Sequence, residues 1–221
     1  MMLFLQATAK FVLGVVLVGV LLFLPAGSFA FWQGWLLTGV LFVPMFIAGL
    51  VMFAKNPKLL EKRLHAKEKE KTQDIVVKLS GLMFIGGFVL AGLNFRFGWY
   101  TLPTWISVAG TAVFLLSYAL YAEVLKENTY LSRTIEVQEN QTVVDTGLYG
   151  IIRHPMYAVT LFLFLSIPLI LGSIYALFAF LAYPFIIAVR IKNEEKVLAE
   201  QLSGYKAYMQ KVKYRLIPFI W

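Results

Sequence analysis

The chain has 221 residues, of which 60% are hydrophobic and 14% charged, with a formal charge of +8 and no cysteine. Soluble domains carry roughly 45–50% apolar and about 25% charged residues, so the composition is that of an integral, multi-pass membrane protein. Without cysteine there are no disulfides, thiolate metal sites or cysteine nucleophiles, and two histidines far apart in sequence make no metal cluster.

Six apolar segments follow one another at about 3–24, 31–54, 76–95, 103–125, 155–171 and 174–190. Each is compared with the roughly 20 residues needed to span a bilayer. The fold class they predict is an all-α polytopic membrane protein with about six transmembrane segments. The first segment, followed by Ser28-Phe29-Ala30, resembles a cleavable leader, but its basic start is weak and a retained span is the better reading. Between the second and third, Asn56 can cap a helix and Pro57 suits its first turn. Leu59, Leu60 and Leu64 can then dip into the interface while lysines reach anionic lipid headgroups. A solvated charged connector is the plainer alternative, and His65 within it reads as an ordinary surface residue.

The connector after the fourth segment differs. SRTIEVQ and TVV alternate like strands around Glu139-Asn140-Gln141, which predicts a short hairpin. Asp145-Thr146-Gly147 then turns the chain, and Pro155 fits the first position of the next helix, with His154 near its cap. The 155–190 run is too long for one span, so Leu171-Gly172-Ser173 is read as the turn of a tight helical hairpin, its arms kinked at Pro168 and Pro184. A cytoplasmic C-terminal helix follows.

Nineteen of the twenty Lys and Arg fall on one side if the N-terminus is cytoplasmic, as do all twelve acidic residues; Arg96 alone lies outside. The basic excess is therefore a topology signal that puts both termini in the cytoplasm, and no nucleic-acid partner is needed to explain it.

Polar groups meet at the ends of the hairpin. Arg153-His154-Pro155 stands at its entrance and Arg190…Glu194-Glu195 at its exit, on the same membrane side. Taken alone, Arg190 reads as a membrane anchor and the glutamates as a solvated helix face. Charge at such depth is costly, and its convergence points to a site.

The pattern G-x-Y-x-x-x-R-H-P-x-Y at Gly147 to Tyr157, followed by R-x-x-x-E-E at Arg190 to Glu195, resembles the isoprenylcysteine carboxyl methyltransferase family and the related phospholipid methyltransferases. The likeness extends through Tyr205-x-x-Tyr208 and Val212 to Phe219, and Asn128 with Glu136-Val137-Gln138 is similar to the bacterial branch. It covers about residues 120–221, and departs at Val159, where the family usually has glycine. The resemblance implies an enzyme that uses S-adenosylmethionine, releases S-adenosylhomocysteine and takes a lipophilic acceptor from the bilayer, its active site cytoplasmic. Asn128, Tyr149, Arg153, His154, Tyr157, Glu195 and Tyr208 would bind the cofactor. A carboxylate acceptor needs only a positive group to position it, Arg190 or Arg215, whereas an amine would need a base, for which Glu194 is nearest. Residues 1–102 would be N-terminal spans and connector, and 103–221 the catalytic core. Carboxyl methylation of the isoprenylcysteine type is the named expectation. Phospholipid or small-molecule N- or S-methylation is the alternative within the enzymes, and a transporter the alternative outside them. The acceptor is expected to enter sideways near the hairpin, past Tyr175, Phe178 or Tyr183.

Overall fold

The computed structural model describes residues 2–55, 57, 60, 61, 64, 71–131, 135 and 137–221; His65 and Glu136 lie outside them. The described helices are α1 (Met2–Ala26), α2 (Trp32–Lys55), α3 (Lys71–Phe97), α4 (Thr104–Glu127), α5 (Pro155–Ile170), α6 (Ile174–Phe180), α7 (Tyr183–Gln201) and α8 (Tyr205–Lys211). Five stretches are long and apolar enough to cross a membrane: Leu3–Ala26, Trp32–Lys55, Thr72–Phe97, Thr104–Glu127 and Ile174–Gln201. α5, at 16 residues, is apolar but shorter. Large side chains such as Leu13, Leu17, Leu24 and Trp105 stay exposed. That is how a helix reads when lipid, not water, is its outer solvent.

α1 packs on α2 and α3, α3 on α6 and α7, and α5 on α4, α6 and α7. Helices attract weakly in lipid, so close backbone approach must supply the packing. A Cβ at Gly110 would sit 2.9 Å from the Leu169 Cβ, and one at Gly92 would sit 2.6 Å from the Leu22 carbonyl oxygen. These two glycines let α4 meet α5 and α3 meet α1.

The chain reverses at Leu171–Ser173. Gly172 adopts a left-handed φ of 64°, and the Ser173 hydroxyl caps α6 by accepting from the Ala176 N–H. The loop after α3 is tied to this turn by Leu102 N–H to the Gly172 carbonyl at 2.9 Å. Pro168 remains inside α5, whereas Pro184 interrupts the return arm. Its ring cannot tolerate the carbonyl four residues back, so α6 ends at Phe180 and α7 restarts at Tyr183.

The expected hairpin around residue 140 forms its turn but no strand ladder among the described residues. Gln141 N–H donates to the Gln138 carbonyl, and Asn140 takes a φ of 57°. Side chains then take the bonds a ladder would need. Gln138 N–H donates to the Gln141 amide oxygen at 2.9 Å, and the Tyr130 hydroxyl donates to the Asn140 carbonyl at 3.1 Å.

Candidate active site

The site begins where α4 ends. The Glu127 carboxylate accepts from the Leu148 N–H through both oxygens, at 3.2 and 3.1 Å, which pins the short 3-10 turn Gly147–Gly150. Gly147 is at φ 50°, and a Cβ there would fall 1.2 Å from a Glu127 oxygen. Only glycine allows this junction.

Arg153 and His154 follow, both buried, at 7% and 4% exposure. Their backbone N–H groups donate to the Tyr214 and Arg215 carbonyls, each at 2.9 Å. The Arg153 side chain donates to Glu195 Oε1 at 2.6 Å and to the carbonyls of Val212 and Lys213 at 2.7 and 3.0 Å. His154 Nε2 lies 3.2 Å from Glu195 Oε1, and Arg215 Nε donates to Glu195 Oε2 at 2.7 Å. One buried carboxylate thus meets two guanidinium groups and an imidazole. This offsets a desolvation cost of several kcal/mol per ion.

Glu194 points elsewhere, because neighbours on a helix differ by about 100°. It accepts the Tyr157 hydroxyl proton, while the Tyr157 oxygen accepts from Arg190 Nε at 2.9 Å. Arg190 also lies over the Tyr157 ring. The Tyr208 hydroxyl donates to the Tyr149 carbonyl at 2.7 Å, bracing the start of the motif against α8.

These groups wall a cleft of about 790 Å³, open space at its mouth included. Asn128, Tyr149, Arg153, His154, Tyr157, Arg190, Glu194 and Tyr208 all line it. Glu195 and Arg215 do not: they hold Arg153 and His154 in place. Val159 is absent from the lining too, packing with Val124 and Tyr149 in a small core. The glycine-to-valine departure therefore fills space outside the cleft.

Residues that no motif marked complete the walls, among them Tyr130, Gln141, Leu198, Leu202 and Tyr205. Among the described residues the buried hydroxyls of Tyr149 and Tyr205 have no hydrogen-bond partner of good geometry, although Asn128 lies beside that of Tyr149. Unsatisfied buried donors are rare, and two in one cleft fit a polar ligand. Burial is the main reason that Tyr149, Tyr205 and Tyr208 are held protonated well above the ordinary phenol range.

A second, apolar gap of about 700 Å³, open space at its mouth included, lies between α3, α4, α5 and α7. Val76, Ser80 and Phe84 form one wall, Met156, Thr160 and Phe164 another, and Tyr183, Ile187 and Arg190 a third, with Tyr121 at the side. Tyr183 is part of it; Tyr175 and Phe178 are not. The gap shares Met156, Tyr157 and Arg190 with the polar cleft.

The fold resembles the solved structure of the eukaryotic intramembrane Ras methyltransferase ICMT (isoprenylcysteine carboxyl methyltransferase). The TM-score is 0.56 and the identity 22%, over 83% of this chain and 65% of that one. The chain thus spans just under two thirds of that relative's length, and at this identity the likeness is one of fold. No curated protein sequence matches it. Residues 108–200, which supply α5, α6 and most of α4 and α7, match the model of the isoprenylcysteine carboxyl methyltransferase (ICMT) family, and over this stretch the chain is similar to that family.

Proposed function

We propose that the protein is a membrane methyltransferase that uses S-adenosylmethionine to methylate a lipophilic acceptor, with carboxyl O-methylation of the isoprenylcysteine type as the model reaction. The observation that carries this is the common wall: among the described residues a polar cleft and an apolar gap share Met156, Tyr157 and Arg190. A polar donor and a greasy acceptor need two such chambers with a shared boundary.

The cleft's unpaired hydroxyls and its aromatic and amide side chains fit a nucleoside bearing an amino acid. Tyr149, Tyr205, Asn128 and His154 are the residues we assign to hold it, with Tyr208 bracing Tyr149. When bound, S-adenosylmethionine supplies a methyl group on a positively charged sulfur, which needs in-line approach rather than a strong base. Arg190 is assigned to orient the acceptor carboxylate, since it reaches both chambers and its fork of donors matches a carboxylate. Glu194 and Tyr157 hold the adjoining wall. Apolar residues around the gap exclude water from the reacting carboxylate, which strengthens its attraction to Arg190. Arg215, already bonded to Glu195, is assigned to support of the site.

The distribution of Lys and Arg supports a cytoplasmic cleft with both termini on that side. In this arrangement α5 and the α6–α7 arm form the final hairpin as a sixth span, α5 covering its shorter length with kinked or tilted geometry. Residues 103–221 then act as the catalytic core and residues 1–102 as accessory spans. Purified protein in lipid nanodiscs, given methyl-tritiated donor and N-acetyl-S-farnesylcysteine, should transfer label to an alkali-labile ester. Absence of donor binding by calorimetry would remove the proposal.

A further inference from the structure

The apolar gap is open at its side and, away from the cleft, ends in a floor of aromatic rings. Its three wall stripes share one direction: Val76, Met156 and Arg190 stand at the cleft end, and Phe84, Phe164 and Tyr183 at the other. From Met156 to Phe164 is eight helical residues, or about 12 Å at a 1.5 Å rise. At that depth the rings interlock. Phe84 meets Phe164 edge-on at 4.9 Å and Phe180 at 5.3 Å, and Phe164 meets Tyr183 at 4.8 Å. The Tyr183 hydroxyl is fixed by donation to Thr160 Oγ1 at 2.8 Å, so this ring cannot swing aside freely.

We infer that the Phe84–Phe164–Tyr183 floor sets the length of acceptor chain the enzyme can bury, selecting amphiphiles whose apolar part reaches about 12 Å from Arg190. This inference rests on the acceptor occupying the gap as proposed above. A single leaflet's hydrocarbon is about 15 Å deep, so a full phospholipid chain overruns the floor and must leave sideways into the bilayer. Carbons past the floor lie in lipid whether or not the acceptor is bound, and they add no affinity. Each methylene that enters the pocket exchanges loose lipid contacts for close-packed protein ones, and this packing gain raises affinity carbon by carbon up to the floor. The polar boundary at Arg190 fixes the head, and the interlocked rings fix the end of the measured stretch.

The test is a series of N-acetyl-S-alkylcysteines from butyl to hexadecyl, with equilibrium binding to the protein in nanodiscs measured separately from methyl transfer. For the wild type, affinity corrected for membrane partitioning should climb with each carbon and level off between octyl and decyl. Phe164→Ala should move the break to longer chains, and Phe164→Leu should move it less. Ser80→Phe, a turn nearer the cleft, should move it to shorter chains. These shifts run in opposite directions, which general destabilisation would not produce. A break unmoved in all three variants, or affinity that rises through hexadecyl in the wild type, overturns the floor. A length break in binding without methyl transfer to any chain would retain the floor and sink the methyltransferase reading. No binding of any chain overturns both.

Discussion

Arg153 and Glu195 form an ion pair at 2.6 Å with side chains only 6% and 4% exposed, although one opens α5 and the other lies deep in α7. The pair locks the entrance of α5 to the C-terminal half of α7. Removing one member of such a pair costs about 3–5 kcal/mol, because the other is left charged and buried. Glu195→Gln should therefore lower thermal stability in detergent sharply. Adding Arg153→Met to Glu195→Leu should recover part of the loss. Equal melting of Glu195→Gln and wild type would show that the pair contributes little.

Tyr205→Phe removes a buried hydroxyl that has no partner among the described residues. Stability should hold or rise slightly, since no internal hydrogen bond is lost. Affinity for S-adenosylhomocysteine should fall by roughly tenfold, the worth of a hydrogen bond of about 1.4 kcal/mol. Calorimetry on folded protein measures both arms, and unchanged affinity would take Tyr205 out of the binding set.

Arg190→Gln should raise the acceptor KM by about tenfold or more, the cost of a charge-assisted hydrogen bond. Affinity for S-adenosylhomocysteine should move much less, because Arg190 is assigned to the acceptor. Arg190→Lys should restore only part of the loss, as an ammonium lacks the planar fork. A larger effect on cofactor than on acceptor would reverse that assignment.

Gly147→Ala places a Cβ against the Glu127 carboxylate at a left-handed φ. Strain of this kind costs about 1–3 kcal/mol, so melting temperature and cofactor affinity should fall together. Glu127→Ala with Gly147→Ala should relieve the clash but not the φ penalty, giving partial rescue of melting temperature.

The buried tyrosines also set an alkaline limit. Burial holds the phenol protons of Tyr149, Tyr205 and Tyr208 in the folded state more tightly than in the unfolded one. Their contribution is full below the ordinary phenol value near 10 and declines as pH rises above it, since the unfolded chain then releases protons first. The share of tyrosinate absorbance that these three contribute should therefore appear late and together with unfolding. Early, gradual ionisation of all tyrosines in folded protein would contradict this.

Much of the site was legible because polar residues in an apolar chain need a reason. Arg153, His154, Glu194 and Glu195 stood out against their surroundings, and the turn at Leu171–Ser173 told which would meet. The resemblance put Glu195 on the cofactor, whereas the structure lines the cleft with Glu194 and holds Glu195 in the interior ion pair. Arg215 read as a possible acceptor ligand, yet its distance along the chain hid the Glu195 bond that occupies it. The apolar gap was invisible in detail, since valines and phenylalanines that line a pocket look like those that pack a core. Among the described residues the strand-like alternation around residue 140 gave only a turn, because side-chain amides and a tyrosine hydroxyl satisfied the backbone there.

α3 and α4 flank the apolar gap yet do not pack along one another among the described residues. If the acceptor occupies the gap as proposed, surrounding lipid would furnish one wall of its pocket. Acyl chains at that seam would then become part of the reacting environment, ordered or fluid as the bilayer dictates. Turnover should then track membrane thickness and chain saturation even where melting temperature does not. A detergent whose tail fits the seam behaves as a competitor for the acceptor, so the same enzyme shows different substrate affinities in different micelles.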